Sequence, residues 1–378
     1  MWFVPQDDLD RRLMNVYMAQ FFNDETIATP GFRLSSLAAY VVPEEGHLSL
    51  YREVCSGLPA IDRPEAFGQH SNADIASAIT SGNAMLETVV SLQPKVTDAS
   101  GITPEDMVHG LAEDLLTAIP EPVNIQRLLG AGDGSALHIV LVQELQRYNV
   151  LLSKIRKSLS DVQKGIRGLV VMSAELDVVY QRMLHGAVAP AWLSAYPSLK
   201  PLASWSRDLL HRWAQLMDWC EKGPPKVFWL AGFTYPNGFL TALMQTSARH
   251  SNVSIDTLMW EFPIQNVEEK DVTQPPQEGA YIKGLFLEGA GWSYDNSALC
   301  EPEPMELIYS MPIIHFKPVE AKKSKAKGMY ACPLYLYPLR TGSRERPSWM
   351  LNIELKSGQA ESEAWTKRGT ALLLALAE

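Results

Sequence analysis

The sequence predicts an α+β protein, with helices in the first part and strands in the last. Three observations carry this. From Asp8 to Lys222 apolar residues recur at helical spacing, broken by proline, glycine and polar clusters. From Ser254 onward the period shifts to two, in short runs separated by Pro, Gly and charged loops, as in an antiparallel barrel or sandwich. The 378 residues, 46% of them hydrophobic and 20% charged, are enough for two or three ordinary globular domains.

The helices follow in order. "DLDRRLMNVYMAQFF" places Leu9, Leu13, Val16 and Met18 near one face, with Phe21 and Phe22 following, and the "NDET" turn ends it. "GHLSLYREVCSGLP" is a second, stopping at Gly57 and Pro59. "NADIASAITSGNAMLETVVSLQP" is a third, closed by Pro94, and "KVTDASGITPED" is a polar linker. Thr103, Pro104 and Asp106 cap the next helix, "EDMVHGLAEDLLTAIP". "GAGDGS", Gly130 to Ser135, is a flexible break.

The strongest periodic signal follows. Apolar positions fall at Leu145, Tyr148, Leu152, Ile155, Leu159, Val162, Ile166, Leu169, Leu176, Tyr180 and Met183, with Ser173 in one slot. The seam predicts a long helix, or two stacked ones, lying on a neighbouring domain. A free coiled coil fits less well, because no clean e/g charge pattern accompanies it. Gly165 and Gly168 each weaken a helix interior by ~1 kcal/mol relative to Ala, predicting a kink, a break or a close crossing there. A further helix carries Leu209, Leu210, Trp213, Leu216, Met217 and Trp219, and ends at Gly223 and Pro224.

"KVFWLAGF" then reads as a short β-like run and "NGFLTALMQTSARHS" as a helix starting from Asn237. Six β-like runs follow: "SIDTLMWEF", "GAYIKGLFLEGAGW", "ELIYSMPIIHFKP", "GMYACPLYLY", "SWMLNIELKS" and "WTKRGTALLLALA". The basic loops "VEAKKSKAKG" and "PLRTGSRERP" read as solvated hairpin tips.

The chemistry-bearing patterns are sparse. In "IKGLFLEGAGW", Gly284, Gly289 and Gly291 nearly spell a phosphate-binding loop. Such a loop needs Lys and Ser/Thr directly after its second glycine, where this protein has Ala290 and Gly291. Glu288 would repel phosphate, and the alternating pattern predicts a strand, with Leu285 and Leu287 on one face, Phe286 on the other, and Gly289 and Gly291 relieving a bend. No H-E-x-x-H or G-x-S-x-G occurs. The histidines, among them His70, His109, His138, His211, His250 and His315, show no metal-ligand spacing, and His315 on its apolar strand reads as a satisfied, partly buried group. A Ser/His/Asp set can still assemble in space. Cys55, Cys220, Cys300 and Cys332 lie far apart, with no C-x-x-C pair, and read as reduced, partly buried thiols. Arg11 and Arg12 fit either an arginine that reads a nucleotide across an interface or a structural ion pair with Asp7, Asp8 or Asp10. The net charge of −10 argues against general nucleic-acid binding. No run of about 18 apolar residues occurs, so no membrane span is expected, and the N-terminus lacks a secretory pattern.

Eight stretches together resemble one family, the dynein heavy chains, and most closely their axonemal type: "DLDRRL", "LPAIDRPEAFGQHSNADI", "LVQELQRYNVLLSKIRKSLSDVQKGIRGLVVMSAELD", "WLSAYPSLKPLASW", "FWLAGFTYPNGFLTALMQTSARHSNVSIDTLMWEF", "GAYIKGLFLEGAGW", "YACPLY" and "WTKRGTALL". The family commonly has a basic residue where Gly291 stands, and the last strands follow its pattern loosely. The resemblance implies that residues 1–165 end the sixth AAA+ module, mostly its small helical part. Residues 166–253 would be the helical section of the C-terminal domain, and 254–378 its small antiparallel β-barrel. It also implies a non-hydrolysing part of an ATP-driven, minus-end-directed microtubule motor. This segment would have no catalytic, cofactor-binding or metal-binding residue of its own, with ATP and Mg held elsewhere in the parent motor. The implied partners are the remainder of the AAA+ ring, microtubules only through an absent stalk, and intermediate and light chains. Nucleic acid and membrane are not among them. The implied place is the axoneme of cilia and flagella, part of the cytoskeleton on the cytoplasmic side. Met1, deep inside the family's length, implies an expressed fragment or a truncated gene. Isolated, such a segment is expected to expose an apolar face from Leu145 to Met183.

Two readings from other classes stand beside this one. A stand-alone hydrolase with a dispersed triad predicts a concave pocket holding a paired nucleophile and base. A barrel that binds a peptide or partner predicts use of the basic loops from Lys322 to Lys327 and from Arg340 to Arg346.

Overall fold

The computed structural model describes residues 7–92, 103–126, 134–320, 327–336 and 349–376. Pro94, most of "GAGDGS", most of "VEAKKSKAKG" and all of "PLRTGSRERP" lie outside the described residues.

The N-terminal part is four helices, α1 (Asp8–Phe21), α2 (Asp24–Ala28), α3 (Leu48–Gly57) and α4 (Asn72–Leu92). Local chemistry sets the ends of the first two: the Asp7 and Asn23 side chains accept the N–H groups of Asp10 and Thr26. Among the described side chains of residues 7–92, only Thr26, Pro64 and Asn72 are buried.

The hydrophobic core begins at Val108. Helix α5 (Pro104–Ala118) opens with the predicted capping box: the Thr103 hydroxyl accepts from Asp106 N–H and the Asp106 carboxylate reaches back to Thr103. It packs Val108, Ala112 and Leu115 against α6 (Ala136–Ile166), a helix of 31 residues. Leu145, Leu152, Ile155, Leu159 and Val162 are buried along α6, so the seam read from sequence is the core. The expectation that this seam stays open is corrected: α5, α7 (Ala174–Leu184), α8 (Pro190–Leu193) and α10 (Pro236–Ser251) all pack on α6. Helix α6 ends at Ile166, and Gly168 takes the left-handed conformation, φ 72°. The glycine pair therefore marks a break, and Leu169 beyond it is exposed.

Helix α9 (Leu202–Lys222) adds Trp205, Leu209, Leu216 and Trp219 to the core. Trp192 and Trp205 stack with ring centres 5.8 Å apart, and the Trp192 indole donates to Ser158 Oγ at 2.9 Å. Trp219 meets Phe228, Phe233 and Phe239 edge-on, at 5.3, 6.3 and 6.4 Å.

Among the described residues the strands form two five-stranded sheets and a two-stranded ribbon. The first sheet contains β1 (Val227–Trp229), β2 (Leu258–Glu261), β3 (Ile264–Gln265), β4 (Ala280–Lys283) and β9 (Ile313–Glu320). The second runs in the order β11 (Trp349–Lys356), β10 (Met329–Tyr335), β12 (Ala371–Leu373), β5 (Phe286–Glu288) and β8 (Ile308–Ser310). The ribbon is β6 (Gly291–Ser293) with β7 (Ala298–Cys300). One bent pair of segments joins the sheets: β4 pairs with β9, β5 pairs with β8, and Met311 N–H donates to Leu285 O between them. Gly284, φ 75°, turns the corner.

The sheets are not antiparallel throughout, because β1–β4 and β10–β12 are parallel pairs. Among the described residues no ladder closes either sheet into a ring. The run "WTKRGTALLLALA" differs from expectation too: its first residues belong to α11 (Ser362–Lys367), and only Ala371–Leu373 is strand.

Candidate functional site at the joints between helices and sheets

"IKGLFLEGAGW" supplies the end of β4, all of β5 and the start of β6, and no helix follows to hold a phosphate. Leu285 and Leu287 are buried and Phe286 is half-buried, as the alternation predicts. Gly289, φ 75°, makes the bend, whereas Gly291 lies in β6 against Cys300 Sγ.

Among the described residues His70, His109, His211 and His315 meet no nucleophile. His70 Nδ1 accepts from Asn72 N–H, His109 meets Arg167, His211 stacks on Trp229 with centres 4.5 Å apart, and His315 Nε2 lies 2.8 Å from Glu278 O. None of these contacts involves a serine or cysteine. Burial holds the His315 imidazole below its ordinary pKa, and burial with the nearby Lys283 charge does the same at His211. All four thiols are free, Cys55 exposed and Cys332 fully buried. Burial pushes the Cys332 thiol far up, which disfavours the reactive thiolate. Among the described residues no group of three His, Cys, Asp or Glu can hold a metal ion. No helix among them is long and apolar enough to cross a membrane. A cavity of about 70 Å³ beside Tyr196, Lys200, Asp208, Trp229 and Phe286 has room for a few waters rather than a nucleotide.

Charged groups converge at two joints between elements far apart in sequence, among other ion pairs. At the first, Arg12 reaches from α1 to the second sheet. Its Nε and Nη2 donate to Thr366 Oγ1 at 3.1 and 2.9 Å, and its Nη1 donates to Ala331 O at 2.7 Å. The guanidinium carbon sits 4.5 Å from the Tyr330 ring centre. Beside it the Lys367 ammonium donates to Gln20 Oε1. Arg11 instead pairs with Asp8 at 2.5 Å on the surface. Of the two readings open from sequence, Arg11 makes the ion pair, whereas Arg12 takes a third role and ties a helix to a sheet.

At the base of α4 the Asn72 side chain saturates a loop. Its amide donates to Glu303 O and Glu306 O at 3.0 and 3.1 Å, and its oxygen accepts Met305 N–H at 2.9 Å. Met305 is thereby held at φ 71°, a left-handed conformation that costs a non-glycine residue about 1–3 kcal/mol.

The second joint links α6 to α10. Glu144 is 2% exposed, yet both carboxylate oxygens are used. Oε2 accepts Thr234 N–H at 2.6 Å, and Oε1 accepts Tyr235 N–H and Arg147 Nη1, each at 3.0 Å. These amides directly precede α10, whose first residue, Pro236, has no N–H. A negative group here also faces the positive end of the α10 dipole. The stretches "LVQELQRYN" and "GFTYPNGF" are therefore two halves of one contact. Sequence reading missed this role, although an acid between Val142 and Leu145 in the buried seam was its visible sign. It missed Asn72 altogether, since the partners of that amide are backbone atoms more than two hundred positions away.

With this geometry in place, comparison with known proteins is specific. The family described as the AAA lid domain of dynein heavy chains matches residues 5–73. The family described as the C-terminal domain of dynein heavy chains matches residues 79–374. The protein is 54% identical over 376 residues to the dynein-1-beta heavy chain of the flagellar inner arm I1 complex of Chlamydomonas reinhardtii. It is 49% identical over 376 residues to dynein axonemal heavy chain 2 of Homo sapiens. It is 36% identical over 378 residues to human dynein axonemal heavy chain 1. Each match spans 98% of this protein but only 8 or 9% of the relative. The protein belongs to the dynein heavy chain family and is similar to its C-terminal region, lid and C-terminal domain together.

Proposed function

We propose that this protein is the C-terminal structural and regulatory segment of an axonemal dynein heavy chain, working in the axoneme of cilia or flagella. The parent would be an ATP-driven, minus-end-directed microtubule motor. The observation that carries the reading is similarity from end to end, over 98% of this protein, to axonemal heavy chains. In this reading the segment hydrolyses no nucleotide and holds no cofactor, and ATP and Mg act elsewhere in the parent motor. Its partners are the rest of the AAA+ ring and, through the parent complex, intermediate and light chains.

Residues 1–165 would end the sixth module, with 166–253 and 254–378 as the helical and barrel sections of the C-terminal domain. The family descriptions divide earlier, between residues 73 and 79. Limited proteolysis, with mass analysis of the stable pieces, decides between the two divisions. Closure of the strands into a small barrel belongs to the same proposal.

The functional test is a chimera. The matching C-terminal segment of the Chlamydomonas inner-arm heavy chain is replaced by this sequence in a strain lacking the native gene. Incorporation of the chimera into axonemes is expected. A chimera that is expressed yet stays out of the axoneme would overturn the reading. So would ATP or ester turnover by the purified protein that a single substitution abolishes.

A further inference from the structure

Among the described residues the N-terminal helices and the remainder of the molecule share no hydrophobic core. The buried cluster starts at Val108, and no apolar side chain of α1 or α3 is buried. On α1 the side facing the second sheet is Leu9, Arg12, Val16 and Gln20, all only half-buried. From Ser77 to Val90 every α4 side chain that is described is exposed. The hydrogen bonds that fasten this part run from Arg12 to Thr366 and Ala331, with Arg12 also over Tyr330, from Lys367 to Gln20, and between Asn72 and the Glu303–Glu306 loop. Segments with few buried apolar contacts open at free energies well below that of global unfolding, and hydrogen bonds that water can replace add little net resistance.

We propose that residues 7–92 form a latch, which releases from the C-terminal sheets as a unit while the rest of the fold stays intact, with Arg12 and Asn72 as its two catches. Release frees the Ala331 carbonyl and the face of the Tyr330 ring. It also removes the bond that holds Met305 in its left-handed conformation, so the loop between β7 and β8 relaxes. Opening at one end of the molecule is thereby reported at the edge of the second sheet. The latch rests on contacts within this protein and does not depend on the motor reading.

Hydrogen exchange with mass spectrometry on the whole protein tests it. In the unaltered protein, amides of α1 should exchange at least tenfold faster than those at the centre of α6. In the double variant Arg12→Ala/Asn72→Ala, α1 exchange should rise at least a further tenfold, while α6, α10 and β9 stay within twofold. Arg11→Ala, which removes only a surface pair, should change none of them, and Arg12→Lys should fall between. The latch is refuted if α1 is as protected as α6 in the unaltered protein, or if the double variant leaves α1 unchanged. It is equally refuted if exchange in α6 and β9 rises in parallel or the double variant fails to fold, since either outcome makes the molecule one cooperative unit.

Discussion

Replacing Glu144 with alanine tests the joint between α6 and α10. The carboxylate is 2% exposed and accepts two backbone N–H groups, at 2.6 and 3.0 Å. Without it the Thr234 and Tyr235 amides, which sit in part-buried bonds, lose a charged acceptor, and each such loss costs about 1–3 kcal/mol. Loss of the charge at the start of α10 removes a helix-dipole contribution of roughly 0.3–2 kcal/mol. Arg147 is 43% exposed at its side chain, so it returns to water and adds little. Together these place Glu144→Ala at roughly 2–8 kcal/mol of lost stability. Glu144→Gln keeps one acceptor oxygen without the charge and should lose about half as much. Arg147→Met, removing only the exposed partner, should cost under about 1 kcal/mol. Equilibrium urea unfolding followed by tryptophan fluorescence reads all three, with Trp219 beside the α10 aromatic cluster as a reporter. If alanine and glutamine variants prove equally stable, or alanine costs less than about 1 kcal/mol, the carboxylate does not act as this cap.

Three further outcomes follow from the same structure. A Cβ at Gly279 would lie 2.0 Å from Phe316 O at φ 76°, so Gly279→Ala should yield no folded protein. Gly328→Ala, at φ 75° in open space, should cost only ~1–2 kcal/mol, and similar melting temperatures for the two would contradict the packing. His211 and His315 have pKa values pushed below the ordinary 6.5, so the unfolded state takes up their protons first as pH falls. Their effect is absent above about pH 6.5, and stability is lost as pH falls from there through the lowered folded values. His315→Gln should therefore flatten the loss between pH 7 and pH 5 in denaturant titrations, and an unchanged slope would count against burial as the cause. The exposed Ile79, Met85, Leu86, Val89 and Val90 of α4 should carry dye binding and association of the isolated protein. Met85→Glu with Val89→Glu should lower both in ultracentrifugation and fluorescence, and the buried Leu145, Leu152, Ile155, Leu159 and Val162 should play no part.

Much of this architecture is legible locally. The Thr103–Pro104–Asp106 start, the α6 seam and its end near Gly165 and Gly168 all follow from short-range rules of capping and periodicity. So does the alternation of Leu285, Phe286 and Leu287. Legibility fails where a residue's partner is distant. Periodicity marks an apolar seam without saying what covers it, and here the cover is α5, α7, α8 and α10 of the same protein. It places "KVFWLAGF" as a strand but not parallel to β4, because strand order depends on long-range pairing. It reads "WTKRGTALLLALA" as one strand, although Trp365 is buried from a helix turn and donates its indole N–H to Ser357 O. The joint residues show the same limit: Arg12, Asn72 and Glu144 all stand in visible motifs, but their roles depend on carbonyls and amides that composition cannot reveal.

The place of β12 bears on how the protein is made. Ala371–Leu373 lies between β10 and β5, in the interior of the second sheet, with Leu372 fully buried. On a ribosome, synthesised from the N-terminus, β5, β8, β10 and β11 all emerge before the strand that links them. Until it arrives β5 and β10 present unpaired edges, a template for mispairing and a target for chaperones. A premature stop only a few codons before Ala371 would therefore take the centre out of a sheet rather than trim a tail, and its product should be cleared by quality control.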